Sequence, residues 1–228
     1  MARMSFTARL VNPPFQDPGL LISFQFQRRA MLFDLGEVHT LSPRDMRKIA
    51  HTFVTHTHMD HFVGFDTLLR VSLARDKDLH LFGPEGFFER VEGKLAGYTW
   101  NLVGDYPHPL ELSVTEVTEE RSRTRRYLCK DRFLRAGDEE EAPFTGILIR
   151  EPDLRVEAAL LDHRIPCLGL SLIEEFSVHI DKEALLALGL PVGPWLTSFK
   201  RAVAEKRDPD RAYSVVWEEE GKILRERT

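Results

Sequence analysis

The sequence predicts an α/β fold, and three observations carry the prediction. Short apolar segments of strand character alternate with segments that open on helix-start signals. At 228 residues, with 43% hydrophobic and 29% charged side chains, the chain suffices for one substantial soluble core. No internal repeat runs through it, which excludes a solenoid. Taken in order, residues 5–11, 20–26 and 30–34 are expected as strands, punctuated by the Asn12-Pro13-Pro14 and Asp17-Pro18-Gly19 turn signals. Ser42-Pro43 opens a short helix through residue 49, with proline in its favoured first turn. A strand over 51–55, a helix over 60–74, a strand over 79–82 and a helix started by Gly83-Pro84-Glu85 follow. Further strands are expected over 111–117, 124–133, 155–161 and 212–217.

The run Thr55-His56-Thr57-His58-Met59-Asp60-His61 follows the apolar pair Phe53-Val54. Strand alternation carries His56 and His58 to one side of the strand end, while Asp60 and His61 open the next helix. Two pairs of potential ligands then converge. A plain helix cap needs only one carboxylate, and burying several imidazoles without an organising charge leaves polar groups unsatisfied. Imidazole with carboxylate suits zinc, manganese or iron better than calcium or magnesium, and zinc is the default. The helix beginning near Asp60 would also turn its N-terminus toward an anionic phosphate.

This His-x-His-x-Asp-His run resembles the signature of the metallo-β-lactamase superfamily. The resemblance implies an αββα sandwich with metals at one edge. The later segment Leu161-Asp162-His163-Arg164-Ile165-Pro166-Cys167-Leu168-Gly169 is similar to the Leu-Asp-His-x-x-Pro-x-x-Gly element of one branch, ribonuclease Z, the tRNA 3′ endonuclease. Residues 181–195, ending Gly193-Pro194-Trp195, resemble that branch's tRNA-gripping arm. The resemblance therefore implies a single domain over 1–228 with an inserted, projecting helical arm over 175–207. It implies a metal-dependent phosphodiesterase that processes precursor tRNA with a hydroxide activated between two zinc ions, manganese being the other candidate. His56, His58 and His163 would hold one metal. Asp60 and His61 would hold the other, with Asp60 also the catalytic base. Gly193, Pro194, Lys200 and Arg201 would contact substrate, with Lys206 and Arg207 as further phosphate contacts. A homodimer is usual in the resembling family.

The sequence departs from that pattern in three places. The glycine-rich opening and its Thr/Lys-x-x-Arg-Asn element are absent, Asp34-Leu35-Gly36-Glu37 replaces a stretch with a second glycine, and Leu170 stands where an aromatic is expected. After His163 the only histidine is His179, in the arm. The family's bridging Asp and last His have no counterpart, so a C-terminally incomplete relative with low activity of its own is expected. The alternatives are another hydrolase of the superfamily acting on a small phosphodiester or ester, and a noncatalytic RNA-binding or partner subunit.

Composition bounds the setting. Thirty-one Lys and Arg against 36 Asp and Glu give a net charge of −5, which argues against a protein coated in positive charge. A local patch remains: Arg121, Arg123, Arg125, Arg126, Lys130, Arg132 and Arg135 form either a phosphate-contacting ribbon or a solvated hairpin neutralised by Asp138-Glu139-Glu140-Glu141. No stretch approaches a membrane span, the N-terminus lacks the apolar core of a signal peptide, and Cys129 and Cys167 form no Cys-x-x-Cys. A cytoplasmic protein with reduced cysteines is expected.

Overall fold

The computed structural model describes residues 6–25, 27–73, 77–152, 154–174, 180–204, 207, 214–219 and 222–227. The chain separates into two compact units, one of residues 3–150 with 156–172 and the other of residues 1–2 and 151–155 with 173–228. Among the described residues, no helix is long and apolar enough to cross a membrane.

The larger unit has the expected α/β character. Strands β1 (Phe6–Leu10), β2 (Leu20–Phe24) and β3 (Ala30–Phe33) form an antiparallel meander. Helix α1 (Pro43–Met46) leads to β4 (Ile49–Phe53), α2 (Met59–Phe62) and α3 (Phe65–Ser72) lead to β5 (Asp78–Pro84), and α4 (Phe87–Ala96) leads to β6 (Glu111–Val117). Strands β3 to β6 run parallel. Such neighbours need crossover connections, which these helices provide. The sheet closes with antiparallel β7 (Arg121–Leu128) and β8 (Leu134–Pro143), giving eight strands in sequence order. Phe33, Phe53 and Phe82 stack across β3, β4 and β5 at 4.7 and 5.0 Å between ring centroids. Leu32, Ile49, Val54, Phe65 and Phe87 are fully buried in a separate core cluster. A second sheet, ordered β11-β10-β9, contains β9 (Ile147–Arg150), β10 (Leu154–Asp162) and β11 (Pro166–Glu174).

Several expected bounds change: Ile49 belongs to β4, Gly83 and Pro84 end β5 rather than start a helix, and the strand expected over 124–133 is β7 at Arg121–Leu128. The helix over 60–74 is broken between α2 and α3, because the chain at Gly64 lies against the segment after β3: Gly64 N–H donates to the Leu35 carbonyl at 3.0 Å, and a Cβ there would sit 2.1 Å from the Gly36 oxygen. The four-residue α2 that remains is too short to carry the helix-end anion site expected at Asp60. Of the two readings of the basic segment, the hairpin neutralised by the neighbouring acids is the one the structure shows. Along β7 and β8, Arg121 pairs with Glu141, Arg123 with Glu116 and Glu139, Arg125 with Glu139 and Glu92, and Arg126 with Glu140.

In the smaller unit, Asp181 caps α5 (Lys182–Ala187) by accepting from the Glu183 and Ala184 N–H groups at 3.0 and 3.1 Å. Gly189, at φ +69°, ends that helix, and α6 (Trp195–Ala204) follows. Leu185 and Trp195 are buried against Ile180, Leu190, Leu196 and Phe199, with the Trp195 indole donating to the Pro191 carbonyl at 2.9 Å. Strands β12 (Ser214–Glu219) and β13 (Lys222–Arg227) form a hairpin. His179, Lys206 and residues 212–213 of the expected late strand lie outside the described residues.

Candidate metal centre

The site forms where the parallel strands end. The chain leaves β3 through Asp34 and β4 through Thr55 and His56, so both segments emerge at the carboxyl edge of the sheet, the usual position of ligand sites in open α/β sheets. Backbone bonds fix their spacing: Asp34 N–H donates to Phe53 O at 2.8 Å, Leu35 N–H to His61 O at 2.9 Å and Leu168 N–H to Thr55 O at 2.8 Å. The last of these ties the start of β11, just beyond the His163 turn, to the histidine-rich loop. Gly36 is required by the same crowding, since a Cβ there would lie 2.5 Å from the Asp60 carbonyl oxygen.

His56, His58 and His163 come together, each offering a nitrogen within 4.8 Å of the others'. His56 is buried, while His58 and His163 are exposed. His56 Nε2 and His58 Nδ1 stand 3.0 Å apart. Zinc–nitrogen bonds of about 2.0–2.1 Å place tetrahedral donors roughly 3.4 Å apart. The three nitrogens, all within 4.8 Å of one another, therefore have a spacing that fits the ligands of one ion. Asp60 and His61 form a separate pair, with His61 Nε2 3.5 Å from Asp60 Oδ2 and Asp60 largely open to solvent. The His56 and His61 rings lie 4.0 Å apart, so the two donor groups adjoin.

Asp34 organises both groups. One carboxylate oxygen accepts from Thr55 N–H at 2.8 Å and from the Thr55 hydroxyl at 2.9 Å; the other faces His61 Nδ1 at 3.0 Å. A carboxylate only accepts, so His61 carries its proton on Nδ1 and keeps the Nε2 lone pair for a cation. The Thr55 hydroxyl, having donated to Asp34, accepts from His56 Nδ1 at 3.0 Å. His56 Nε2 is thereby left as a lone-pair donor as well. Burial, with His61 and His58 close by, lowers the His56 pKa from its usual value and favours the neutral ring that a metal needs. The Cys167 thiol lies 3.9 Å from His56 Nδ1, its pKa raised by burial and then by Asp34, so it stands beside the site as a neutral group.

Sequence reading alone missed Asp34 and Thr55. The available signal was an Asp ending an apolar strand just before Leu35-Gly36, with Asp34 at φ +60° in a conformation that few residues other than Gly, Asn and Asp adopt readily. The residues expected to touch substrate lie in the smaller unit. Gly193 and Pro194 form the turn whose carbonyls receive the first N–H groups of α6, and Lys200 and Arg201 are exposed on that helix.

The fold and site thus define an α/β chain with a histidine-rich, carboxylate-organised donor cluster at a sheet edge. Among known proteins it is similar to ribonuclease Z. It is 35% identical to the ribonuclease Z of Deinococcus radiodurans over 209 residues, 87% of this chain and 61% of that protein. It is 32% identical to that of Latilactobacillus sakei over 173 residues, 72% of this chain and 45% of the relative. For Methanocaldococcus jannaschii the figures are 29% over 195 residues, 81% and 51%. The chain spans about half to three-fifths of these relatives' lengths. Solved structures that resemble it include human short-form tRNase Z, at TM-score 0.46 and 19% identity over 75% of this chain and 62% of that one. A metallo-β-lactamase fold protein from Bacillus subtilis matches at TM-score 0.44 and 12% identity, over 73% and 57%. No protein-family model matches the chain.

Proposed function

We propose that this chain carries the metal site of a ribonuclease Z-type phosphodiesterase acting on the 3′ side of precursor tRNA. The observation that carries the reading is the convergence of His56, His58 and His163 beside the Asp60–His61 pair, with Asp34 fixing two ring tautomers. Sequence similarity to ribonuclease Z supports the substrate class. Zinc suits three neutral imidazoles best, with manganese the alternative. When bound, such an ion supplies Lewis-acid polarisation of the phosphodiester.

The chain's own residues supply the remaining steps. The exposed Asp60 carboxylate accepts the proton of the attacking water at Oδ, and the Asp34–His61 bond keeps the neighbouring ring from turning away. Lys200 and Arg201 on α6 engage tRNA phosphates, with the Gly193-Pro194 turn setting the helix start. A cytoplasmic homodimer is the setting the resemblance suggests. The test is incubation of the zinc- or manganese-loaded protein with a precursor tRNA. A cut on the 3′ side that disappears with a chelator and in His163→Ala is expected, and it should be slow because Asp60 and His61 offer only two protein donors. Metal-dependent hydrolysis of bis(p-nitrophenyl) phosphate without any tRNA cut would replace this reading with the small-phosphodiester hydrolase. Bound but uncut tRNA would replace it with the noncatalytic RNA-binding subunit.

A further inference from the structure

Beside the His163 turn the larger unit contains an open cavity of about 980 Å³, walled by the β10–β11 turn on one side and the β6–β7 turn on the other. Its lining includes the apolar side chains of Leu161 and Ile165 together with the acids Glu85, Glu119, Glu120 and Asp162. Three guanidinium groups line it, but two are already engaged. Arg121 is bound to Glu141 at 3.2 Å and Glu120 at 3.7 Å, and Arg123 is bound to the buried Glu116. Arg164 alone of the three has no carboxylate partner among the described residues. Asp162 instead accepts the Arg164 backbone N–H at 2.7 Å.

The backbone at Arg164 is itself informative. Its φ of +63° lies in the left-handed region, where a long side chain is disfavoured and Gly, Asn or Asp would sit more easily. A strained residue of this kind, next to a candidate ligand and aiming an unpaired cation into a cavity, points to a function for its side chain. The ligand chemistry follows from the walls. One unpaired cation beside the apolar side chains of Leu161 and Ile165 accommodates a single phosphodiester and the flat base or sugar attached to it. The four acids in the lining would repel a continuous ladder of phosphates, so the cavity does not suit a duplex backbone.

Resting on the phosphodiesterase reading above, we infer that Arg164 binds the phosphodiester group next to His163, with one attached nucleoside lying along Leu161 and Ile165. Arg164 would thus be a substrate-contacting residue of the site, separate from the metal donors.

The test measures binding rather than turnover. Adenylyl-(3′→5′)-adenosine and adenosine are titrated calorimetrically into the metal-free 228-residue protein and into Arg164→Gln and Arg164→Gly. The wild type should prefer the dinucleotide, and both variants should bind it about tenfold more weakly while binding adenosine as before, the usual loss of a charge-assisted hydrogen bond. Arg164→Gly should also melt at the same temperature or higher, because glycine relieves the positive φ. Equal wild-type affinity for the two probes, no binding of either, or retained preference in Arg164→Gln would overturn the assignment. A drop in melting temperature for Arg164→Gly would overturn it too, by making the guanidinium structural. Arg164-dependent binding without any metal-dependent tRNA cut would leave this subsite standing and remove the endonuclease reading; a tRNA cut with binding indifferent to Arg164 would do the reverse.

Discussion

Replacing Asp34 separates its structural work from its effect on the metal donors. In Asp34→Ala three donors lose the carboxylate at once, Thr55 N–H, the Thr55 hydroxyl and His61 Nδ1–H, the last keeping the Thr55 oxygen at 3.2 Å. A buried, unsatisfied polar group costs about 1–3 kcal/mol. The carboxylate is only 13% exposed, so water compensates in part, and a sum of about 3 kcal/mol is expected. Alanine at φ +60° adds about 1 kcal/mol more. Asp34→Asn behaves differently. Its amide oxygen keeps both Thr55 bonds and asparagine tolerates the backbone, so the stability cost falls to about 1 kcal/mol. The amide nitrogen, however, can only donate to His61 Nδ1, which moves the ring proton to Nε2 and removes the lone pair that faces Asp60. Loss of such an orienting partner weakens metal binding by about 10–100-fold. Urea unfolding followed by tryptophan fluorescence gives the first quantity, and zinc titration resolved into first and second equivalents gives the other. The second equivalent should weaken in Asp34→Asn while the first is little changed. Wild-type affinity for both equivalents in Asp34→Asn, or an Asp34→Ala protein within 1 kcal/mol of wild type, would refute this account of how the rings are held.

Two further predictions concern stability. Glu116 is 3% exposed and accepts from both Arg123 and the Phe88 N–H, so Glu116→Ala should cost about 3–5 kcal/mol in urea unfolding, whereas Arg126→Ala, whose pair with Glu140 lies in solvent, should change stability by no more than about 0.5 kcal/mol. Burial holds the Lys77 pKa down at about 8, against 10.5 for the free side chain. Its charged form is therefore penalised in the folded protein. The penalty is complete below about pH 8 and fades as the pH rises toward 10.5, because the folded state releases the proton first. Lys77→Met should stabilise the protein by about 1 kcal/mol at pH 7, and the advantage should shrink between pH 8 and 10 in parallel unfolding curves.

The parts of the fold that sequence reveals are those in which one local signal decides the outcome. The β6 strand over 111–117 and the Ser42-Pro43 helix start are of this kind, as is the strand end that delivers His56 and His58. The α2–α3 break was hidden because its cause is distant in the chain, at the contact between Gly64 and Gly36. The acidic run Asp138-Glu139-Glu140-Glu141 offers itself in the sequence as a neutralising partner of the arginines, but the strand that carries it, β8 (Leu134–Pro143), and its register against β7 do not. Its stabilising partners are cross-strand charges rather than an apolar face. At the site, a histidine cluster announces itself by spacing. Asp34 does not, because its role depends on two strands ending side by side and on a turn that brings Thr55 and His61 back to it.

The central claim is that His56, His58 and His163 together hold a divalent ion more tightly than Asp60 and His61 do. It is tested most directly by zinc analysis after mild chelation of the wild type, His58→Ala, His163→Ala and His61→Ala. The account predicts one retained equivalent in the wild type and in His61→Ala, and none in His58→Ala or His163→Ala. No zinc in the wild type, or the same loss in all three variants, would contradict it.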